Sequence, residues 1–404
     1  MQPNVVFFSL FRTDNPYSSI SLSMARELAQ QTRVVYVNHP YSIWDVVKGL
    51  RQKDKVLRRR LWRILFGQNA VERLDSIPEN FVAVTPPVTL PINWLPPGRV
   101  YDFFQRFNNG IVLRAIRRAL QSEQVRDFIF INCYNPFYAG WLPPGFGAKA
   151  CIYHCIDDIT QNAYTARHGE QLENEACRQA DFTFVTSSNL ARLKAPVARR
   201  IVSYFNAADF SVFQKVLTET YPRPELLAGR EGPVIGFVGN LDDLRIDYAL
   251  LKKIALHFPE KTLLLVGPLN SKMPAAIGLD RLPNVVFAGA RALHDLPPLL
   301  QHMDCVLIPF LCNTLTFSIY PLKINEYLAA GKPVVSTCFS EDIRTFAGHC
   351  YLAETPEVFL RQIEHALQEN DPERIRRRIA LAQTNTWEAR IRQLWKVLEG
   401  AENR

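Results

Sequence analysis

At 404 residues the chain is too long for one ordinary hydrophobic core, so two domains of roughly 150 to 200 residues are expected. Apolar residues make up 48% and charged residues 21%, a balance that excludes disordered and fibrous classes. No run of about 18 uncharged apolar residues occurs, which argues against a membrane-spanning helix. The opening MQPNVVFFSLF lacks the basic-then-apolar layout of a signal peptide and reads as a first strand. Eight cysteines are scattered without a CxxC pair, which fits reduced thiols in a cytoplasmic protein.

In chain order, the first half reads as short apolar strands at 4–8, 33–37, 128–132, 150–154 and 182–186. An amphipathic helix at 20–30 separates the first two. The net charge of +8 is concentrated early: between Lys48 and Arg63 eight basic residues stand against one acid, Asp54. On a helix over 46–66, Leu57, Leu61, Ile64 and Leu65 form an apolar stripe flanked by arginines and Trp62. That pattern predicts a helix lying in the plane of an anionic membrane, or a basic solvated face whose stripe turns to the core. Aromatic and basic residues do not alternate elsewhere, and no nucleic-acid partner is expected.

The proline-rich run 85–98 excludes a regular helix and predicts a long loop or an edge. Residues 206–233 are polar and aperiodic and read as a linker. Strands follow at 234–238, 262–266, 285–288, 305–308 and 333–336, with helices near 248–257, 296–302 and 320–330. Two helices, 356–370 and 372–399, close the chain. Regular strand–helix alternation predicts α/β architecture with two Rossmann-like domains, 1–205 and 234–384. A C-terminal helix, 385–404, is expected to pack back toward the first.

The richest stretch is 306–337, VLIPFLCNTLTFSIYPLKINEYLAAGKPVVST. Pro309 ends a buried strand, Pro321 suits the first helical position, and Gly331 with Pro333 stops the helix. The helix start then sits at the carboxyl edge of a parallel sheet, where α/β folds bind ligands. Its free N–H groups and the Lys323 ammonium suit a diphosphate. Glu326, three residues on, is placed to accept two sugar hydroxyls. Ser318, Tyr320, Pro321 and Leu322 line the same entrance. VIGFVGNLDD at 234–243 puts Gly239 and Asn240 in the first strand-to-helix turn, and Gly267 and Arg291 follow the next two strands. Together these residues suggest a nucleotide-sugar donor site, with a tight turn as the plainer role for the glycines. In the first half, CIYHCIDDIT at 151–160 places Asp157 at a strand end as a candidate general base. His154 and Asp158 are further acceptor-side candidates, with an N-cap as the plainer role for the aspartates. No metal ligand cluster is predicted.

PLKINEYLAAGKPVVST, GFVGN, LLLVGP, NVVFAG and YFNAADFSVF together resemble bacterial glycosyltransferases of the GT-B class over nearly the whole chain. YHCIDD with ENEACRQADFTFVTSS is similar to the acceptor domain of cell-surface polysaccharide enzymes. The likeness extends to teichuronic-acid-type transferases and the xanthan glucuronosyltransferase. The resemblance implies two Rossmann-like domains facing across a cleft, with a UDP-sugar donor and no cofactor. It also implies a lipid-linked or growing glycan acceptor, Asp157 as base and Lys323 on the diphosphate.

Three departures bear on mechanism. Ser318 stands where retaining members carry a glutamate, Asp242 and Asp243 stand where Arg and Lys are usual, and SLFRTDNPYSS replaces the early glycine-rich loop. These favour inversion by a single displacement. A metal-independent hexosyl- or glycuronosyltransferase docked peripherally on the inner face of the plasma membrane is the leading expectation. The alternatives are a nucleotide-sugar 2-epimerase of the same fold and a non-catalytic nucleotide-sugar-binding partner in a membrane assembly.

Overall fold

The structure, a computed structural model, describes residues 2–14, 19–50, 55–74 and 77–402. Parts of two stretches singled out above, 15–18 in the loop after the first strand and 51–54 in the basic segment, lie outside these residues. The chain divides into two compact units. One runs to Tyr204 and takes up the chain again from Ile391; the other spans Phe205–Arg390.

The first unit is built on an eight-stranded sheet. Its strands are β1 (Asn4–Ser9), β2 (Val34–Val37), β3 (Ala70–Glu72), β4 (Phe81–Thr85), β5 (Phe128–Cys133), β6 (Ala148–Cys155), β7 (Phe182–Val185) and β8 (Ile201–Ser203). Their order is β3-β4-β2-β1-β5-β6-β7-β8, and only β3 runs antiparallel to its neighbour. The central strands are buried on both faces, which is why they read as continuous Val, Ile and Phe runs instead of alternating.

The second unit contributes β9 (Val234–Val238), β10 (Leu241–Asp242), β11 (Thr262–Val266), β12 (Leu269–Asn270), β13 (Val285–Gly289), β14 (Cys305–Ile308), β15 (Val334–Thr337) and β16 (Tyr351–Ala353). Six of these form an all-parallel sheet in the order β13-β11-β9-β14-β15-β16. The chain winds outward from β9 to β13, returns to the centre at β14, and winds the other way. That reversal is the doubly wound Rossmann order, and it leaves a crevice at the carboxyl ends of β9 and β14. The first sheet reverses in the same way between β1 and β5.

Residues 206–233 are not a linker. Short helices occupy Phe210–Phe213 and Lys215–Thr218, and Phe213, Val216 and Leu227 are buried in the core of the second unit. Their apolar side chains sit too far apart in sequence to show a period, so polarity dominated the sequence reading. The long helix Arg99–Ser122 and strand β4 were also not foreseen. Gly110 and the exposed Phe103 and Phe107 blur the period of the helix. The last helix, Trp387–Glu402, is tied to the first unit beyond Ile391 by two bonds: Trp395 Nε1 to Gln31 Oε1 at 2.9 Å and Gln393 Nε2 to the Ser203 carbonyl at 2.9 Å. Among the described residues no helix is long and apolar enough to cross a membrane.

The helix after β14 runs Leu322–Ala329 and ends on Gly331 at φ 68°. Gly331 N–H donates to Leu328 O at 3.0 Å and Lys332 N–H to Tyr327 O at 3.1 Å, the paired bonds of a Schellman stop. Gly331→Ala forces a side chain into the left-handed region and is expected to destabilise the fold by about 1 kcal/mol or more. Urea unfolding followed by circular dichroism measures this.

Candidate functional site

Pro321 is the N-cap of the Leu322–Ala329 helix, one position earlier than the sequence suggests, and no side chain caps this end. Ile324 N–H is taken by Pro321 O at 3.2 Å, and among the described residues the N–H groups of Leu322 and Lys323 have no partner. Helices after other central strands are closed by their own side chains. Ser19 accepts from Leu22 N–H after β1, and Asp247 accepts from Leu250 N–H after β9. An uncapped helix start at a topological switch point offers N–H groups of the kind that suit an anion.

Two buried networks fix that start in place. The Tyr327 hydroxyl accepts from Val238 N–H at 2.8 Å and donates to Val238 O at 3.2 Å, pinning the helix to the last residue of β9. Asn325 Nδ2 donates to Asn206 O at 2.8 Å, and Asn206 Nδ2 donates to Tyr320 O at 3.0 Å. The Tyr320 hydroxyl closes the ring on Asn325 Oδ1 at 3.3 Å. Tyr320 and Pro321 thereby serve as supports, buried behind the entrance. Ser318 is fully buried at the end of the short helix Thr314–Phe317. Leu322 is half-buried at the helix start.

Lys323 Nζ lies 2.7 Å from Glu326 Oε2, and the Glu326 side chain is 5% exposed against 24% for Lys323. The pair is a partly buried ion pair whose cationic end faces outward. Oε1 of Glu326 has no protein partner among the described residues, which leaves one acceptor for a hydroxyl.

Gly239 and Gly267 stand at the ends of β9 and β11. A Cβ on Gly267, at φ 145°, would lie 1.8 Å from Gly239 O, so this glycine is demanded by backbone packed on backbone. A Cβ on Gly239 would meet the Phe237 ring at 2.7 Å. Their requirement is steric, whatever they also offer a ligand. Asn240 is held between Asp242 Oδ2 at 3.0 Å and Asn270 Nδ2 at 2.8 Å. Arg291 is exposed beyond β13, two strands from β9. Among the described residues it makes no ion pair with the residues of the helix start. Arg245, which the sequence reading passed over, does stand in the switch-point loop. Its carbonyl accepts from Leu311 N–H at 2.8 Å, and its guanidinium pairs with Asp242 at 2.9 Å. The only sequence signal for it was its place six residues after the GFVGN glycine.

In the first unit, His154 is not available to an acceptor. It is 1% exposed at the end of β6, with its ring edge-on to Tyr204 and its Nδ1 3.7 Å from Cys133 Sγ. Burial pushes its pKa down to about 3, so it is neutral at physiological pH. Asp158 is the N-cap of the turn Ile159–Gln161, accepting from Thr160 N–H at 3.0 Å and Thr160 Oγ1 at 2.7 Å. Its role is structural. Asp157 is half-buried between them, just past β6. Tyr134, at the end of the neighbouring β5, has a left-handed backbone at φ 57°. Burial first, and the Asp157 charge second, raise the pKa of its hydroxyl. Tyr134 carries no signal of its own in the sequence.

The apolar stripe of the basic helix, Lys55–Leu65, turns largely inward: Leu61 and Ile64 are fully buried. Arg60 is bound to Glu72 at 2.7 and 2.6 Å and to Asp14 at 2.7 Å. Outward lie Arg58, Trp62, Arg63, Leu65 and Phe66. The stripe is therefore core, and any membrane face is the opposite one.

Residues 232–369 match the family described as glycosyl transferases group 1. TuaH of Bacillus subtilis (strain 168), named as a teichuronic acid biosynthesis glycosyltransferase, is 30% identical over 196 residues. That alignment takes in 47% of this chain, and the chain spans about half (49%) of that relative's length. An α,α-trehalose-phosphate synthase (UDP-forming) from Burkholderia vietnamiensis superposes with TM-score 0.68 at 12% identity, covering 99% of each chain. Anabaena HepE in complex with UDP and glucose gives 0.62 at 15% identity, covering 98% of this chain and 99% of that one. The fold is GT-B. The resemblance read from the sequence holds for the family segment at 232–369 and, as a fold, for the whole chain.

Unfolded, His154 takes up a proton near pH 6.5; folded, it resists until about pH 3. Acidification through that window therefore favours the unfolded chain. Stability should fall by up to about 1.4 kcal/mol per pH unit from this group alone. Urea midpoints from pH 7 to 4 should decline less steeply in His154→Gln than in the parent.

Proposed function

We propose that this chain is a glycosyltransferase that moves a sugar from a nucleotide diphosphate, UDP in the first instance, to a lipid-linked or growing surface glycan. The single observation that carries the reading is the uncapped helix start at the β9/β14 switch point, with Lys323 and Glu326 in its first turns. A diphosphate there gains two open N–H groups and an ammonium, and Glu326 accepts a hydroxyl. The group 1 match over this segment and the UDP bound to HepE support the same assignment.

In this reading Lys323 and the helix end stabilise the departing diphosphate, where negative charge grows in the transition state. Asp157 takes the proton of the attacking acceptor hydroxyl, which forms the new glycosidic bond as the bond to phosphate breaks, with inversion at the sugar carbon. Half-burial keeps Asp157 reachable, whereas His154 is buried and Asp158 caps the turn that follows. The outward face of the basic helix, with Arg58 and Arg63, meets the anionic inner surface of the membrane where such acceptors sit.

Lys323→Ala is expected to weaken UDP binding by about tenfold or more, the value of one charge-assisted contact, with the fold intact. Unchanged affinity by titration calorimetry sinks the phosphate role.

Asp157→Asn is expected to lower transfer by at least about a hundredfold while leaving UDP affinity as it was. Full turnover in that variant, assayed with the parent's own acceptor, removes Asp157 as base.

A further inference from the structure

Outside the donor site, the largest unexplained feature is a band of exposed aromatic side chains on the first unit. On the helix Arg99–Ser122, Val100, Phe103 and Phe107 project outward, with Phe103 at 62% exposure. Positions 100, 103, 107, 114 and 118 share one stripe of this helix. Its first half is apolar, and its second half carries Arg114 and Arg118, both exposed. Trp94, just before the helix, is 69% exposed, and its indole N–H is already held by Pro91 O at 2.7 Å.

This stripe lies beside the outward face of the basic segment. Thr89 and Leu90 form the tie at one end: Ile43 N–H donates to Thr89 O at 3.2 Å, and Leu90 N–H donates to Asn108 Oδ1 at 2.9 Å. Trp44, at 63% exposure, and Phe107 are each one residue from that tie. At the other end Arg118 donates to Gly67 O at 3.1 Å, and Asn69 Nδ2 donates to Ala115 O at 2.9 Å. Phe66, at 73% exposure, precedes Gly67 and stacks on Trp62 at 5.8 Å. Two rows of aromatic and basic side chains thus run side by side, with Asp45 and Asp102 as acids among them.

We propose that the helix Arg99–Ser122, with Trp94, is a second membrane-contacting element, forming with the basic segment one composite docking face for an anionic bilayer. This rests on the membrane part of the function proposed above and extends it to residues that reading does not use. A protein partner would call for charge depleted at the centre of the patch. Here arginines are interleaved with bulky apolar groups, the arrangement that suits headgroup phosphates above and acyl chains below. Trp and Phe at such a boundary bury their rings while the guanidinium groups stay at headgroup level.

The experiment is co-sedimentation of the full chain with vesicles of 70:30 phosphatidylcholine to phosphatidylglycerol and with pure phosphatidylcholine, at two salt concentrations. Phe103→Ser/Phe107→Ser is expected to weaken binding to the anionic vesicles by about tenfold or more, since two rings lose their burial. Trp62→Ser/Phe66→Ser is expected to do the same, and both variants should keep the parent's melting temperature and UDP affinity. If only the second variant loses binding, the composite face is overturned and the basic helix alone stands. If the parent binds neither vesicle, or binds both equally, the membrane reading falls with it. Self-association of the parent that Phe103→Ser/Phe107→Ser abolishes, without vesicle binding, would make this face a contact between copies and overturn the proposal.

Discussion

The helix start in the second unit depends on one hydroxyl. Tyr327 bonds both the N–H and the carbonyl of Val238, so the helix after β14 has a fixed position against the end of β9. The strand reversal opens a crevice at that edge, but topology alone would let the helix start drift by a turn. With Tyr327 seated, the helix that starts at Leu322 is anchored to the residue just before the Gly239 turn. Asn206, Tyr320 and Asn325 fix the incoming loop with a ring of buried bonds, so both sides of the helix start are preorganised. Affinity for an anion then costs little reordering.

The Lys323–Glu326 pair follows from this geometry. Glu326 is nearly buried and needs a cation nearby; Lys323 supplies it and still reaches outward. In the proposed function an arriving diphosphate would share the ammonium with Glu326, so Lys323 would act together with the helix N–H groups and not as a lone lysine. Arg245 stands in the adjoining loop, tied by Asp242 in a partly exposed pair that is weak in water and easily rearranged. The two aspartates that replace the usual basic residues there are thus occupied by the loop itself: Asp242 bonds Leu244 N–H, Arg245 N–H and the Arg245 guanidinium, while Asp243 accepts from Ser271.

What could be read from the sequence follows the distance over which each signal acts. Five strands of each sheet declared themselves because buried parallel strands are unbroken apolar runs, whereas the equally apolar β4 did not stand out. The stop at Gly331 was equally local. Tyr327, Asn206 and Asn325 gave no signal, because their role is to bond partners 89 to 119 positions away in the chain. His154 and Asp157 differ by three positions, and only burial separates them: one ring sits behind Tyr204 and Phe184, the other carboxylate stays half-buried. Leu61 and Ile64 gave a correct helical period whose direction only the Arg60 ion pairs and the core beneath could settle.

The two Rossmann units share a strand order yet are finished differently at their switch points. In the first, side-chain amides stitch the edge shut: Asn135 Nδ2 donates to Ser9 O at 3.3 Å, and Asn132 Nδ2 donates to Asn135 O at 2.9 Å and Ala139 O at 2.8 Å. The helix after β1 is closed by Ser19. Neutral amides and a capped helix offer little to a phosphate. In the second unit the corresponding strand ends are held by a tyrosine buried behind them, which satisfies the backbone without filling the edge. The open helix start survives there because Pro321, the residue in the capping position, has no side-chain acceptor to close it. A serine or aspartate at 321 would accept from those N–H groups and close the start, which would compete with the diphosphate of the proposed function.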